Sequence, residues 1–345
     1  LKANVRDSFT PVQPIKVISD EATDREIKRI MTNENADIIS HNITDRENSI
    51  DNEIKVFSDK VINSVNNAYD KVSKVKAIFD LAESRPKIKA KFKKLLDKAA
   101  GLNDEVIIDI DKVDVSAISD MVYNRFKDNV NNLYDFLHSQ TKGNYDSFVL
   151  FKHRHFNSSQ PDAFALPFDS KKRILLAMLP DNQRHGGLVD TVVHEASHNA
   201  AYTRDHTYLG NVRADTGSFP SSFEDSSVRE TKYFFADERI RGLSTNYALG
   251  LPENAKPNKT QATEANVLLQ NSRLIKANTL LDAAEYNTFM IDVLSRARIN
   301  GSRIDFDAAV PRNKRSVYDD NHRLDDTIML ASLRVSLSGT IAKIW

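Results

Sequence analysis

A mixed α+β fold is what this 345-residue sequence predicts, and three observations carry that prediction. The first is a run of apolar residues at steps of three and four: Ile50, Ile54, Phe57, Val61, Val65, Ala68, Val72, Val75 and Phe79. That is the stripe of one long amphipathic helix, close to a coiled-coil seam. The second is Phe148-Val149-Leu150-Phe151, an unbroken apolar run of strand length. The third is a helical pattern of Val189, Val192, Val193, Ala196 and Ala200, opened by Gly186-Gly187 and carrying His194-Glu195-Ala196-Ser197-His198.

The elements follow in order. The long helix spans residues 50–79, and Asn, Asp, Lys and Ser fill its wet face. Pro86 opens a shorter helix that Gly101 stops, in line with the preference for proline at the start and glycine past the end. Its Lys87, Lys89, Lys91, Lys93, Lys94 and Lys98 surround Ile88, Phe92, Leu95 and Leu96. We read them as a solvated face rather than a lipid or nucleic-acid surface. Residues 105–110 are a short strand or a linker, 115–137 are helical, and 148–151 form a strand. Beyond the glycine-led helix, residues 227–249 and 263–296 are helical, and a tail covers 300–345. The expected division is a helical accessory region (1–103), a catalytic domain (104–295) and a C-terminal extension (296–345).

Composition narrows the class of protein. Forty-eight basic residues balance 48 acidic ones, so nothing in the overall charge favours nucleic acid or an anionic membrane. Cysteine is absent, which removes disulfides, thiolate metal sites and cysteine nucleophiles together. No apolar run is long enough to span a bilayer, so no transmembrane segment is expected. The chain begins at Leu1 rather than Met, as expected of a processed or excised product.

The chemistry sits at residues 194–198. Positions i and i+4 share a helix face, so His194 and His198 point toward one cation. Glu195, beside the first of them, is placed to take a proton from a metal-activated water. A hydrolytic zinc site needs a third protein ligand and one open position. A metzincin arrangement needs Gly at 201 and His or Asp at 204, where the chain has Ala201 and Arg204. A gluzincin arrangement draws a glutamate from a later helix, for which Glu230 and Glu238 qualify. Asp205, seven residues after His198, is the third option. His206 is set aside, because adjacent side chains rarely point the same way.

Thr203, Asp205, Tyr208 and Gly210 lie in order behind the pentapeptide. With it they resemble the aspzincin metallopeptidases, the deuterolysin and peptidyl-lysine endopeptidase group, whose pattern is H-E-x-x-H followed by G-T-x-D-x-x-Y-G. Tyr202 stands where the first glycine of that pattern is expected, and Leu209 is inserted before the last. Two further stretches share the resemblance. Arg173-Ile174-Leu175-Leu176-Ala177-Met178-Leu179-Pro180 matches an apolar strand, expected to be the sheet edge that pairs with extended substrate. Asp282-Ala283-Ala284-Glu285-Tyr286-Asn287-Thr288-Phe289 matches a helix near the end of the family domain.

The resemblance implies a zincin-like domain, with a small sheet beside the active-site helix, preceded by the helical N-terminal region. It implies that His194, His198 and Asp205 hold Zn2+, that Glu195 is the general base, and that Tyr208 donates to the developing oxyanion. The expected activity is hydrolysis of peptide bonds in a protein or peptide substrate. Composition and the helical arm add an expectation of a bacterial exported toxin or effector, secreted or delivered into a target cell. Two competing expectations stand beside it. One is a gluzincin-type protease using Glu230 or Glu238. The other is a helical binding protein whose metal site is incidental or inactive.

Overall fold

The computed structural model describes residues 17–44, 52–103, 114–156, 160–180, 187–206, 242–252, 255–301 and 303–306. These residues form nine helices and six strands. The helices are α1 (Asp20–Asn33), α2 (Asn52–Ser84), α3 (Pro86–Ala99), α4 (Val115–Lys142), α5 (Leu188–Ala201), α6 (Gly242–Leu249), α7 (Lys259–Asn271), α8 (Arg273–Asp282) and α9 (Ala284–Leu294). The strands are β1 (Ala36–Ser40), β2 (Phe148–His153), β3 (Ala163–Ala165), β4 (Ile174–Ala177), β5 (Arg298–Asn300) and β6 (Arg303–Asp305). No described helix is long and apolar enough to cross a membrane.

The chain folds as two compact units, one drawn from residues 14–70 and 132–202, the other from 71–131 and 203–316. The division falls inside α2 and α4. The first hundred residues also supply a strand: β1 pairs antiparallel with β2, Ala36 opposite His153.

The first unit holds a four-stranded sheet in the order β1-β2-β4-β3. β2 and β4 run parallel, Phe148 opposite Ile174, while β3 lies antiparallel on β4, Phe164 opposite Leu175. Strand side chains alternate between faces. Val149, Phe151, Phe164, Leu175 and Ala177 pack with Ile27, Ile30 and Met31 of α1. The opposite set, Phe148, Leu150, Ile174 and Leu176, is equally buried, and α5 packs against β3. A sheet covered on both faces explains why β2 and β4 read as unbroken apolar runs. The strand at 173–180 is not the edge that the resemblance implied. β4 is paired on both sides, and β3 takes the edge.

Local chemistry sets these elements. α1 begins where the Ser19 hydroxyl accepts from the Ala22 N–H at 3.3 Å, with Asp20 and Glu21 in the first turn. Arg173, at the entry to β4, donates to Asp169 at 2.6 Å and to Asp24 of α1 at 2.7 Å. That ties the sheet to the helix covering it.

The second unit is helical around an aromatic cluster. The Phe79 ring meets Phe92 at 5.0 Å and Tyr123 at 5.3 Å, and Phe92 stacks on Phe306 at 5.4 Å. Residues 263–296, expected to be helical, form parts of three successive helices. Ser272 caps α8 by accepting from the Ile275 N–H at 3.0 Å. The break at Ala283 is stabilised by the Asn287 side chain, which donates to the carbonyls of Leu281 and Ala283. Where a tail was expected, β5 and β6 form a two-stranded sheet. The strand candidate at 105–110 lies outside the described residues.

Candidate metal centre

α5 is the helix that the apolar spacing predicts, with Gly187 at its N-cap. Every residue from Val192 to Ala201 is buried. It is anchored to the strand side by Asn199, whose amide donates to the Lys172 carbonyl at 2.8 Å. The Ser197 hydroxyl turns back on the His194 carbonyl at 2.7 Å and so finds an internal acceptor. An anchored, dry helix is what a metal site requires, since its ligands must be held before the ion arrives.

His194, Glu195 and His198 are 7–8 % exposed. Their potential ligand atoms lie within 4.8 Å of one another. The two imidazoles stand edge to face, ring centroids 4.9 Å apart and planes at 82°. Zinc with ligands at about 2.0–2.2 Å needs its donor atoms roughly 3.5 Å apart. Imidazole and carboxylate groups are both donors that divalent metal ions accept. A buried group able to hold a metal ion is therefore present on α5.

The other expected site residues divide. Asp205 is half-buried in the segment after α5. Tyr208, Glu230 and Glu238 lie outside the described residues. Tyr202, where the resemblance expects glycine, adopts the left-handed conformation (φ 55°, ψ 33°) at the C-terminus of α5. That is the geometry for which glycine is usually chosen, so the turn survives the substitution with backbone strain in place of flexibility.

The residues that spacing missed are His206 and Asp282. Both are buried, at 0 and 1 % exposure, and His206 Nε2 lies 2.7 Å from Asp282 Oδ2. Arg204 donates to both Asp282 oxygens at 3.0 Å, and Arg125 approaches at 3.3 Å. Burial alone would raise the Asp282 carboxyl. The Arg204 charge, the His206 hydrogen bond and charge, and Arg125 overcome it and hold the group well below the usual carboxylate range. The only sequence signal was the neighbourhood of the metal motif, since 76 residues separate the pair.

This arrangement sets an acid limit. A depressed carboxylate contributes stability above its unfolded value of about 4 and loses that contribution as pH falls toward its folded value. Glu83 works in the same direction, held at about 2 by hydrogen bonds from Lys127 and Lys89. The melting temperature is expected to fall steeply from about pH 4 downward. Asp282→Asn, which cannot titrate, should flatten that slope. Equal slopes in thermal melts of the two proteins would contradict it.

No protein-family model, curated protein or solved structure matches the chain.

Proposed function

We propose that the chain is a zinc-dependent endopeptidase of the aspzincin type. The observation that carries the reading is the buried His194–Glu195–His198 group on α5, its ligand atoms within 4.8 Å of one another. The resemblance of the following residues adds Asp205 as third ligand and Tyr208 as oxyanion donor. Zinc in such a site acidifies a bound water and polarises the scissile carbonyl.

The rest is the work of the chain's own side chains. Glu195 accepts the proton of the attacking water and returns it to the departing amine. His194 and His198 orient the ion from one helix face. Burial of all three limits competing water and strengthens each electrostatic interaction among them. The substrate is a protein or peptide in extended form, because strand addition to a sheet needs an open edge. β3 supports this: among the described residues it is the edge strand on the β4 side, and it packs against α5.

Metal analysis of variants tests the ligand set. Wild-type protein is expected to carry one zinc per chain. Asp205→Ala should weaken binding about 10-fold or more, by analogy with the loss of supporting groups at other zinc sites, while Glu238→Ala retains the metal. Stoichiometric zinc in Asp205→Ala, with loss in Glu238→Ala, would replace the aspzincin assignment by the gluzincin one. Wild-type protein that binds zinc but cleaves no unfolded polypeptide would favour the binding-protein reading.

A further inference from the structure

We propose that a cleft beside the end of α9 binds a small organic phosphate, through four cationic side chains gathered next to an apolar wall. The cleft has a volume of about 570 Å³, and Lys71, Lys74, Arg296, Arg298, Ala297 and Ile299 are among its lining residues. That volume is ordinary for a small-molecule site, roughly 300–1,000 Å³. Every lining residue belongs to the compact unit that does not contain His194 and His198, so the inference stands apart from the zinc reading.

Two of the cations are held in place. Lys71 of α2 donates to Asp292 of α9 at 2.6 Å, and Arg296 donates to the same carboxylate. The Asp292 side chain is 7 % exposed, against 25 % for Lys71 and 27 % for Arg296. A buried acid thus anchors two side chains that still reach solvent. The pairing takes one of the five donors of Arg296. Fixing a binding group before its ligand arrives lowers the entropy cost of association. The other two cations are not neutralised in this way. Lys74 follows Lys71 by one turn on the same side of α2, and Arg298 opens β5. Neither makes an ion pair with a carboxylate among the described residues.

The charge balance selects the ligand. Four cations against Asp292 leave three positive charges, in a chain whose basic and acidic residues balance at 48 each. The carbonyl end of α9 removes about half a charge. Asp305, opposite Arg298 in the β5–β6 ladder, offsets up to one more. The remainder, roughly +1.5 to +2.5, matches the charge of about −1.5 to −2 on a phosphate monoester at neutral pH. A single carboxylate would leave part of it uncompensated. Guanidinium groups also fit phosphate oxygens in bidentate fashion. Ile299 supplies the second half of the argument. It is apolar yet 40 % exposed, and it lines the cleft with Ala297. A solvated patch of charge has no use for such a wall, whereas a phosphate carried on an apolar or aromatic body does.

The test is calorimetric titration of the full chain with phenyl phosphate, inorganic phosphate and an oligoglutamate peptide, beside co-sedimentation with vesicles containing phosphatidic acid. Phenyl phosphate is expected to bind more tightly than inorganic phosphate and to weaken as salt rises. Lys74→Ala and Arg298→Ala should each weaken it about 10-fold or more, the effect of losing a hydrogen bond to a charged group. Both side chains are exposed, so their removal leaves the fold intact, which thermal melts verify. Ile299→Ser should weaken phenyl phosphate and leave inorganic phosphate unchanged. Absence of phenyl phosphate binding at about 1 mM, or unchanged affinity in Lys74→Ala and Arg298→Ala, overturns the inference. Oligoglutamate binding as tightly as phenyl phosphate also overturns it, since the cleft would then take an acidic chain. So does capture on the vesicles without binding of the soluble ester, which would make it a membrane-docking surface.

Discussion

Glu195→Gln is expected to reduce peptide-bond cleavage by about 10²–10⁴-fold while zinc content stays stoichiometric, the range for loss of a positioned acid–base group. Glutamine keeps the shape of glutamate and one oxygen acceptor, so the buried surroundings of α5 have no cavity to fill and no new volume to admit. What it loses is the capacity to take a proton. His194 and His198, the residues paired on the helix face, are untouched, and their rings remain 4.9 Å apart by centroid. Separating metal content from turnover is the purpose of the variant. The measurement is digestion of an unfolded protein beside zinc analysis of the same preparation. Cleavage that persists near the wild-type rate would remove Glu195 as general base, and with it the reason for reading the pentapeptide as hydrolytic. Parallel loss of zinc would instead identify Glu195 as a ligand.

α5 was legible because its spacing, its opening glycine and its metal-ligand pair all agree, and one helix is a local structure. The same holds for α2, where Phe57, Val61, Val65, Ala68, Val72, Val75 and Phe79 are all buried. It holds also for β2 and β4, whose runs are uninterrupted because both faces of the sheet are covered. What did not show was pairing over distance. β1 sits more than a hundred residues from the strand it pairs with. β3 has only three residues, too few for a period. Recognising β4 as a strand therefore did not reveal its neighbours, and the edge was assigned to the wrong strand.

The helix breaks show the same difference in miniature. Ser272 is a capping residue and could have been read as a start signal. Ala283 carries no such signal. Its break is set by tertiary partners, the Arg204 backbone and the Asn287 amide. α1 was missed although Ser19, Asp20 and Glu21 precede Ile27, Ile30 and Met31 at helical spacing. That signal was present in the sequence, unlike the one for β3.

Asp282→Ala is expected to cost about 3–5 kcal/mol, the effect of removing one partner from a buried ion pair. Asp282 is 1 % exposed, and its oxygens receive Arg204, Arg125 and His206. Alanine leaves the partly buried Arg204 and Arg125 guanidinium groups without the carboxylate they share. It also orphans His206 Nε2, which has no exposed surface of its own. Asp282→Asn is milder, about 1.5–3 kcal/mol, since an amide still offers one oxygen to a charged donor. Against a typical domain stability of about 5–15 kcal/mol, the first change approaches unfolding and the second leaves folded protein to measure. Denaturant unfolding at pH 7 checks both values. A loss below about 1 kcal/mol for Asp282→Ala, the level of an ordinary surface pair, would mean that water reaches this carboxylate. Replacing Arg204 together with Asp282 by apolar residues should recover part of the loss. The penalty comes from the charges left behind more than from the attraction removed.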